Sequence, residues 1–203
     1  MTTETLYRMT VTDGVFHFTP VVIETPSTPY LLPIGWAGQN TPRPDDDYSN
    51  SDCGPACVAM WLRYRGIMVS VDDVSRATGK PRGYAYTVFA DLDRAANQYG
   101  LDLVHQLGTL TLQMIRSEID AQRPVIALVH YPSLPDKFSS TYALSHWILL
   151  MGYDADVFFY HDPYWLDSVS GAALPITAVQ LVTALQNVKL NGNTAMQGAT
   201  QKI

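Results

Sequence analysis

The segment Val125-Ile-Ala-Leu-Val-His130 is apolar without a break from Val125 to Val129, and no other segment restricts the possible folds of this chain as much. A strand with one wet face alternates apolar and polar residues, whereas an uninterrupted apolar run belongs to a strand covered on both faces. The chain must therefore supply layers on both sides of a sheet. Residues 145–153 (Ser-His-Trp-Ile-Leu-Leu-Met-Gly-Tyr) and 156–161 (Asp-Val-Phe-Phe-Tyr-His) continue that sheet as a hairpin turning at Asp154-Ala155.

The covering material is helical and comes first. A helix is predicted from about Gly54 to Arg65 with Gly66 as its stop. Ser70 caps a second over Val71 to Thr78. Thr87 precedes a third, with Phe89, Leu92, Ala95, Ala96 and Tyr99 on one face, and Leu101 to His105 reads as a strand. Thr111 or a neighbour starts a fourth helix (Leu112, Ile115, Ile119) that ends before Pro124, and residues 175–190 form a last amphipathic one. Helices followed by a β-rich half define an α+β chain.

Residues 5–23 alternate as two strands with Asp13-Gly14 as a hairpin turn. Prolines at 20, 26, 29, 33, 42 and 44 then forbid helix and favour an extended strap or linker. The expected organisation is a β hairpin and Pro-rich strap over 1–35, a main domain over 36–190, and a flexible polar tail over 191–203.

A net charge of −6 and the absence of any Lys/Arg cluster argue against a nucleic-acid partner. No apolar stretch is long enough to span a bilayer, so membrane insertion is not expected. The N-terminus has neither the basic flank nor the apolar core of a signal peptide, which implies a soluble protein, cytoplasmic as synthesised, with non-classical export left open. The two cysteines, Cys53 and Cys57, are spaced i, i+4 on the first helix, which does not suit a disulfide.

Cys53 stands where that helix begins, and Pro55 is well placed in its first turn. Backbone N–H groups and the positive end of the helix dipole favour thiolate over thiol at such an edge. Cys57, one turn further in, is read as a small core residue. A cysteine nucleophile also needs an imidazole and a group that orients it. His146 at the start of one hairpin strand and Asp162 just past the end of the other are brought side by side by antiparallel pairing. His105, His130 and His161 are read as structural, and no compact metal-ligand spacing is present. Tyr160, Tyr164 and Trp165 are read as core or groove rim.

These residues carry a resemblance. Asp52-Cys-Gly-Pro-Ala-Cys-Val-Ala-Met60, followed by Tyr64-Arg-Gly66, resembles the first box of the C39 and C39-like cysteine peptidases, which have a papain-like fold. His146-Trp-Ile-Leu-Leu-Met-Gly152 resembles the second box and Tyr160-His-Asp-Pro163 the third. The resemblance implies Cys53 as nucleophile, His146 as general base and acid, and Asp162 as the residue orienting the imidazole. In the leader-cutting members a glutamine lies six residues before the cysteine, where this chain has Asp47, which cannot donate a hydrogen bond when ionised. Gln39, after Pro33-Ile-Gly-Trp36, resembles the upstream glutamine of members with a longer loop; Asn50 is the second choice. The implied substrate is a peptide or protein, with no metal or organic cofactor. The same three residues would serve an amidase or acyltransferase, for example on peptidoglycan peptides, and a non-catalytic binding module could keep the fold.

Overall fold

The computed structural model describes residues 3–12, 15–24, 28–40, 51–80, 86–108, 110–190, 193–194 and 197–202. Along them run strands β1 (Thr3–Thr12), β2 (Val15–Glu24) and β3 (Tyr30–Leu31), then helices α1 (Cys53–Tyr64), α2 (Val71–Ala77) and α3 (Phe89–Gln98). Strand β4 (Leu103–Leu107), helix α4 (Leu112–Asp120), and strands β5 (Val125–His130), β6 (Ser145–Asp154) and β7 (Val157–His161) follow. The one-turn helix α5 (Ser168–Gly171) leads to β8 (Leu174–Thr177) and α6 (Ala178–Gln186); the short strands β9 (Lys189–Leu190) and β10 (Asn193–Thr194) precede β11 (Gln197–Gln201).

The main sheet runs β4-β11-β5-β6-β7-β8, with β3 pairing to β6, and its ladders are antiparallel. Strand β5 lies inside it, and Val125 through Val129 are all buried, as the unbroken apolar run requires. Helices α1, α4 and α6 all pack against β5. Gly54 through Leu62 of α1 are buried, so this helix is a core element rather than a half-wet cover. Gly66, in the left-handed region at φ 82°, ends its last turn. Ser70 caps α2 through a reciprocal pair with Asp73, and Thr111 caps α4 through its bond from the Met114 N–H. The β6–β7 register slips between Leu150 and Gly152, and β3 closes in there. A side chain at Gly152 would bring its Cβ to 2.5 Å from the Tyr30 carbonyl oxygen, which only glycine avoids.

Three expectations change. The segment 175–190 is a strand and then a helix: β8 pairs with the outer side of β7, where Pro175 fits an edge, and Thr177 starts α6 with a capping box to Gln180. The strap is extended, but it is not merely a linker. Tyr30–Leu31 joins the main sheet, Leu32 donates its N–H to the Met151 carbonyl at 2.8 Å, and Leu32 and Ile34 are core residues, so the sheet begins before residue 36.

The polar tail is the third. Gln197–Gln201 is an inner strand held between β4 and β5, not a flexible end. Its side chains find partners or cover: Thr200 Oγ1 donates to Glu118, which also holds Arg123, and Gln197 and Ala199 are buried. Backbone pairing on both edges gives this segment an ordered place that its composition did not announce. Strands β1 and β2 pair from Thr3↔Glu24 to Thr12↔Val15. The Asp13-Gly14 turn lies outside the described residues.

Candidate active site

Cys53 is the first residue of α1 and is half-buried. Asp52 precedes it without capping the helix through its side chain. Its fully buried carboxylate instead accepts from Ser75 Oγ at 2.8 Å and faces Lys80 Nζ at 3.6 Å, while the same ammonium donates to Ser51 Oγ at 3.2 Å. The residues leading into Cys53 are thus anchored by a buried ion pair. Gly54 follows because nothing larger fits: an added Cβ would lie 2.6 Å from both Leu92 Cδ2 and Thr87 Oγ1. Cys57 is fully buried, and burial first, then the charges of Cys53 and Asp162, push its thiol up and keep it protonated. Its reading as a core residue holds. Both cysteines are unbridged.

His146 sits at the second position of β6 and is buried. Its Nε2 lies 2.7 Å from Asp162 Oδ1, and the imidazole also hydrogen-bonds the Cys53 side chain, for which Nδ1 is the ring nitrogen that Asp162 leaves. Burial alone would lower the pKa of this imidazole. The charges of Asp162 and Cys53, with the hydrogen bonds to both, outweigh burial and bring it to about 10. Asp162, fully buried just past β7, is itself fixed: its N–H donates to the Gly171 carbonyl at 2.9 Å, and its Oδ1 also accepts the Tyr164 N–H at 2.8 Å.

Trp36 Nε1 donates to the Asp162 carbonyl at 2.9 Å, the Gln39 N–H to the Pro163 carbonyl at 2.7 Å, and Asn40 Nδ2 to the Tyr164 carbonyl at 3.0 Å. These three bonds hang the Trp36–Asn40 segment on the loop that carries Asp162, and they bury Gln39. Tyr131 stands edge-on to His146 with centroids 5.1 Å apart, and Tyr164 lies 5.8 Å away, so the imidazole is walled by aromatic rings. Tyr142 braces the strand start by donating from its hydroxyl to the Ser145 carbonyl at 2.9 Å. Burial of the ring, then the Cys53 charge, raises its pKa and keeps that proton on.

Cys53, His146 and Asp162 are therefore brought into one hydrogen-bonded line, with Gln39 tethered to the residue after Asp162. Asn50, Asp47 and the Asp45–Asp47 run lie outside the described residues. His161 is structural: its Nδ1 accepts the Ala173 N–H at 3.0 Å, and its Nε2 donates to the Ile34 carbonyl at 2.8 Å. His130 pairs with Ser133 Oγ at 2.9 Å, and His105 stacks on Phe89. Among the described residues, no three His, Cys, Asp or Glu side chains gather as a metal site would need, and no helix is long and apolar enough to cross a membrane.

The model of the Peptidase_C39 like family matches residues 33–178, well over half of the chain. The chain belongs to this family. No protein of curated function matches it in sequence. Among solved structures, it is similar to one from Bacillus anthracis described as a C39-like peptidase, at 16% identity and a TM-score of 0.58, covering 87% of this chain and 98% of that one. It is also similar to a double glycine motif protease from an AMS/PCAT transporter in complex with the leader peptide, at 16% identity and a TM-score of 0.51, covering 88% and 98%. The peptidase domain of Streptococcus ComA, a bifunctional ABC transporter involved in quorum sensing, matches at 14% identity and a TM-score of 0.51, covering 78% and 96%. At these identities the likeness is one of fold: an α+β, papain-like arrangement.

Several residues that shape this family member's site carried no signal in its sequence. Lys80 follows a helix-stopping glycine and reads as an ordinary surface cation, yet it is buried against Asp52. Tyr131 and Tyr142 belong to no motif. Their places follow from how the chain between β5 and β6 folds back over His146.

Proposed function

We propose that this chain is a cysteine peptidase that hydrolyses a peptide or isopeptide bond through Cys53, His146 and Asp162. The observation that carries this reading is His146 joined on one side to Asp162 at 2.7 Å and on the other to the Cys53 thiol. Membership of a peptidase family supports it, as does the leader peptide bound by one structural neighbour, which is a peptide ligand on the same fold.

The Cys53 proton passes to His146 Nδ1, and the thiolate attacks the scissile carbonyl carbon. The negative charge that forms on the carbonyl oxygen is met by the Cys53 N–H at the helix start and by the Gln39 side-chain amide. His146 then returns its proton to the departing amine as the C–N bond breaks, leaving an acyl thioester on Cys53. Water, deprotonated by His146, attacks that thioester; the C–S bond breaks and the carboxylate product leaves. Asp162 holds the imidazole in the tautomer and orientation that both transfers need. With the imidazole pKa near 10, His146 keeps its proton at neutral pH and Cys53 is held beside a cation, the setting that makes a thiol nucleophilic.

The test is iodoacetamide labelling read by mass spectrometry, alongside peptide turnover. Cys53 should label faster than free cysteine at mildly acid pH, Cys57 should not, and Cys53→Ala or His146→Ala should abolish turnover with the fold intact. Appreciable turnover by Cys53→Ala would refute the assignment.

A further inference from the structure

Asp52 stands just before α1, where a carboxylate ordinarily accepts N–H bonds from the first turn of its own helix. It makes no such cap here. The Ala56 N–H closes the first helical bond onto the Asp52 carbonyl at 2.8 Å, and Pro55 has no N–H, so the amides at the helix tip are those of Cys53 and Gly54. A carboxylate folded onto them would set a negative charge beside the sulfur. It would oppose thiolate formation and compete with the oxyanion for the same donors.

That carboxylate is drawn the other way. It is fully buried, accepts from Ser75 Oγ at 2.8 Å and faces Lys80 Nζ at 3.6 Å. The Lys80 side chain is only 2% exposed, and its ammonium also donates to Ser51 Oγ at 3.2 Å, so one cation holds both residues before the nucleophile. The end of α2 sets its place: Gly79 takes φ 63°, and the Lys80 N–H donates to Thr78 Oγ1 at 3.3 Å. A lysine buried in this way sheds its hydration, a cost that only close pairing offsets.

We propose that Lys80 is a positioning residue for the reaction: it keeps the Asp52 carboxylate off the first turn of α1, so that the N–H groups there serve the Cys53 thiolate and the oxyanion. The proposal rests on the cysteine peptidase reading. Among the described residues, the other ionisable groups around Cys53 are His146, backed by Asp162, then Cys57, Tyr142, Tyr86 and Lys189. None of them is altered in the variants below, so a change in Cys53 reactivity reports on Asp52 and its partners. The role predicts a difference in sign. Removing the cation frees the carboxylate to act on the helix tip, whereas removing the carboxylate's charge takes the competitor away. A merely structural ion pair would give the same loss from either side.

The experiment is iodoacetamide labelling of Cys53 in the full chain as a function of pH, with peptide turnover and thermal melting in parallel. Lys80→Met should label about tenfold more slowly at mildly acid pH, its labelling profile displaced to higher pH, and kcat should fall about tenfold with KM little changed. Asp52→Asn should label at least as fast as wild type even though its melting temperature falls, because Lys80 is left without its carboxylate. Ser75→Ala keeps both charges and loosens the carboxylate's hold, so it should slow labelling about two- to threefold, in the direction of Lys80→Met. A folded Lys80→Met that labels like wild type, or an Asp52→Asn that labels more slowly, would overturn this role and leave the peptidase reading standing. Should Lys80→Met fail to fold, wild-type labelling by Ser75→Ala would overturn it equally. Failure of the wild-type chain to cleave any peptide, with Cys53 labelling no faster than free cysteine, would sink both.

Discussion

The backbone N–H of Gln39 donates to the carbonyl of Pro163 at 2.7 Å, which ties the proposed oxyanion donor to the residue next to Asp162. Two groups 123 positions apart in sequence, Gln39 and Asp162, are thereby carried on one braced unit, with Trp36 and Asn40 adding a bond on either side. Because the tether is a backbone bond, the Gln39 side chain can be changed without cutting it.

Gln39→Ala and Gln39→Glu should therefore lower kcat by about 10²–10³, the usual loss for one oxyanion donor. For Gln39→Ala, which buries no new charge, the iodoacetamide labelling rate of Cys53 should stay close to wild type and the melting temperature should fall by only a few degrees. A parallel loss of labelling would mean that Gln39 acts on the thiol rather than on the carbonyl oxygen.

The pH behaviour follows from His146. Its folded-state pKa of about 10 lies above the ordinary value of 6.5, so the stability it contributes is complete below about 6.5 and is lost as pH rises toward about 10. Turnover should hold its alkaline limb near the upper end of that window. Asp162→Asn removes the charge that most raises the imidazole, so the limb should move to lower pH and kcat should fall by up to about 10⁴ through loss of the correct tautomer. A pH–rate profile that the substitution leaves in place would exclude this role for Asp162.

Gly54→Ala places a methyl 2.6 Å from Leu92 Cδ2 and Thr87 Oγ1 and 3.1 Å from Trp147 Cδ1, between α1, α3 and β6. Overpacking of this kind costs about 1–3 kcal/mol. For a chain of this length that is a fall in Tm of about 2–4 °C per kcal/mol, measurable by calorimetry. Because the methyl would also shift the start of α1, turnover should fall with it.

A chain ending at Leu190 would lack β11. Strands β4 and β5 would then lose the hydrogen bonds that Gln197–Gln201 makes to both, inside the sheet rather than at its edge. The truncated protein should lose its cooperative thermal transition or fail to stay in solution. A two-state melt within about 4 °C of the full chain would show that the strand is dispensable, since about 1 kcal/mol moves Tm by about 2–4 °C at this length.

Elements whose signals are local were legible. The α1 start at Cys53-Gly54-Pro55, the Ser70 and Thr111 caps, the apolar run of β5 and the β6–β7 hairpin each depend on residues close together in sequence, and each stands within a residue or two of its expected place. The pairing of His146 with Asp162 was legible for the same reason: a tight hairpin converts a short separation in sequence into contact.

Position in the sheet was not legible. Gln-Gly-Ala-Thr-Gln at 197–201 has no apolar alternation, and only the gap between β4 and β5 makes it a strand. Pro175 and Thr177 divide a segment whose spacing suggested one helix, because β7 presents an edge to pair with. Lys80 became a buried partner of Asp52, Tyr131 and Tyr164 became walls around His146, and Tyr142 became a brace on Ser145, none of it through a pattern of neighbouring residues. Caps, turns and periodicity are properties of neighbours in sequence, so the amino-acid order alone determined the helices, the hairpin and the residues able to do chemistry. The order of the strands, the bracing of Gln39 and the burial of Lys80 against Asp52 depend on which distant surfaces meet, and that was decided only when the whole fold closed.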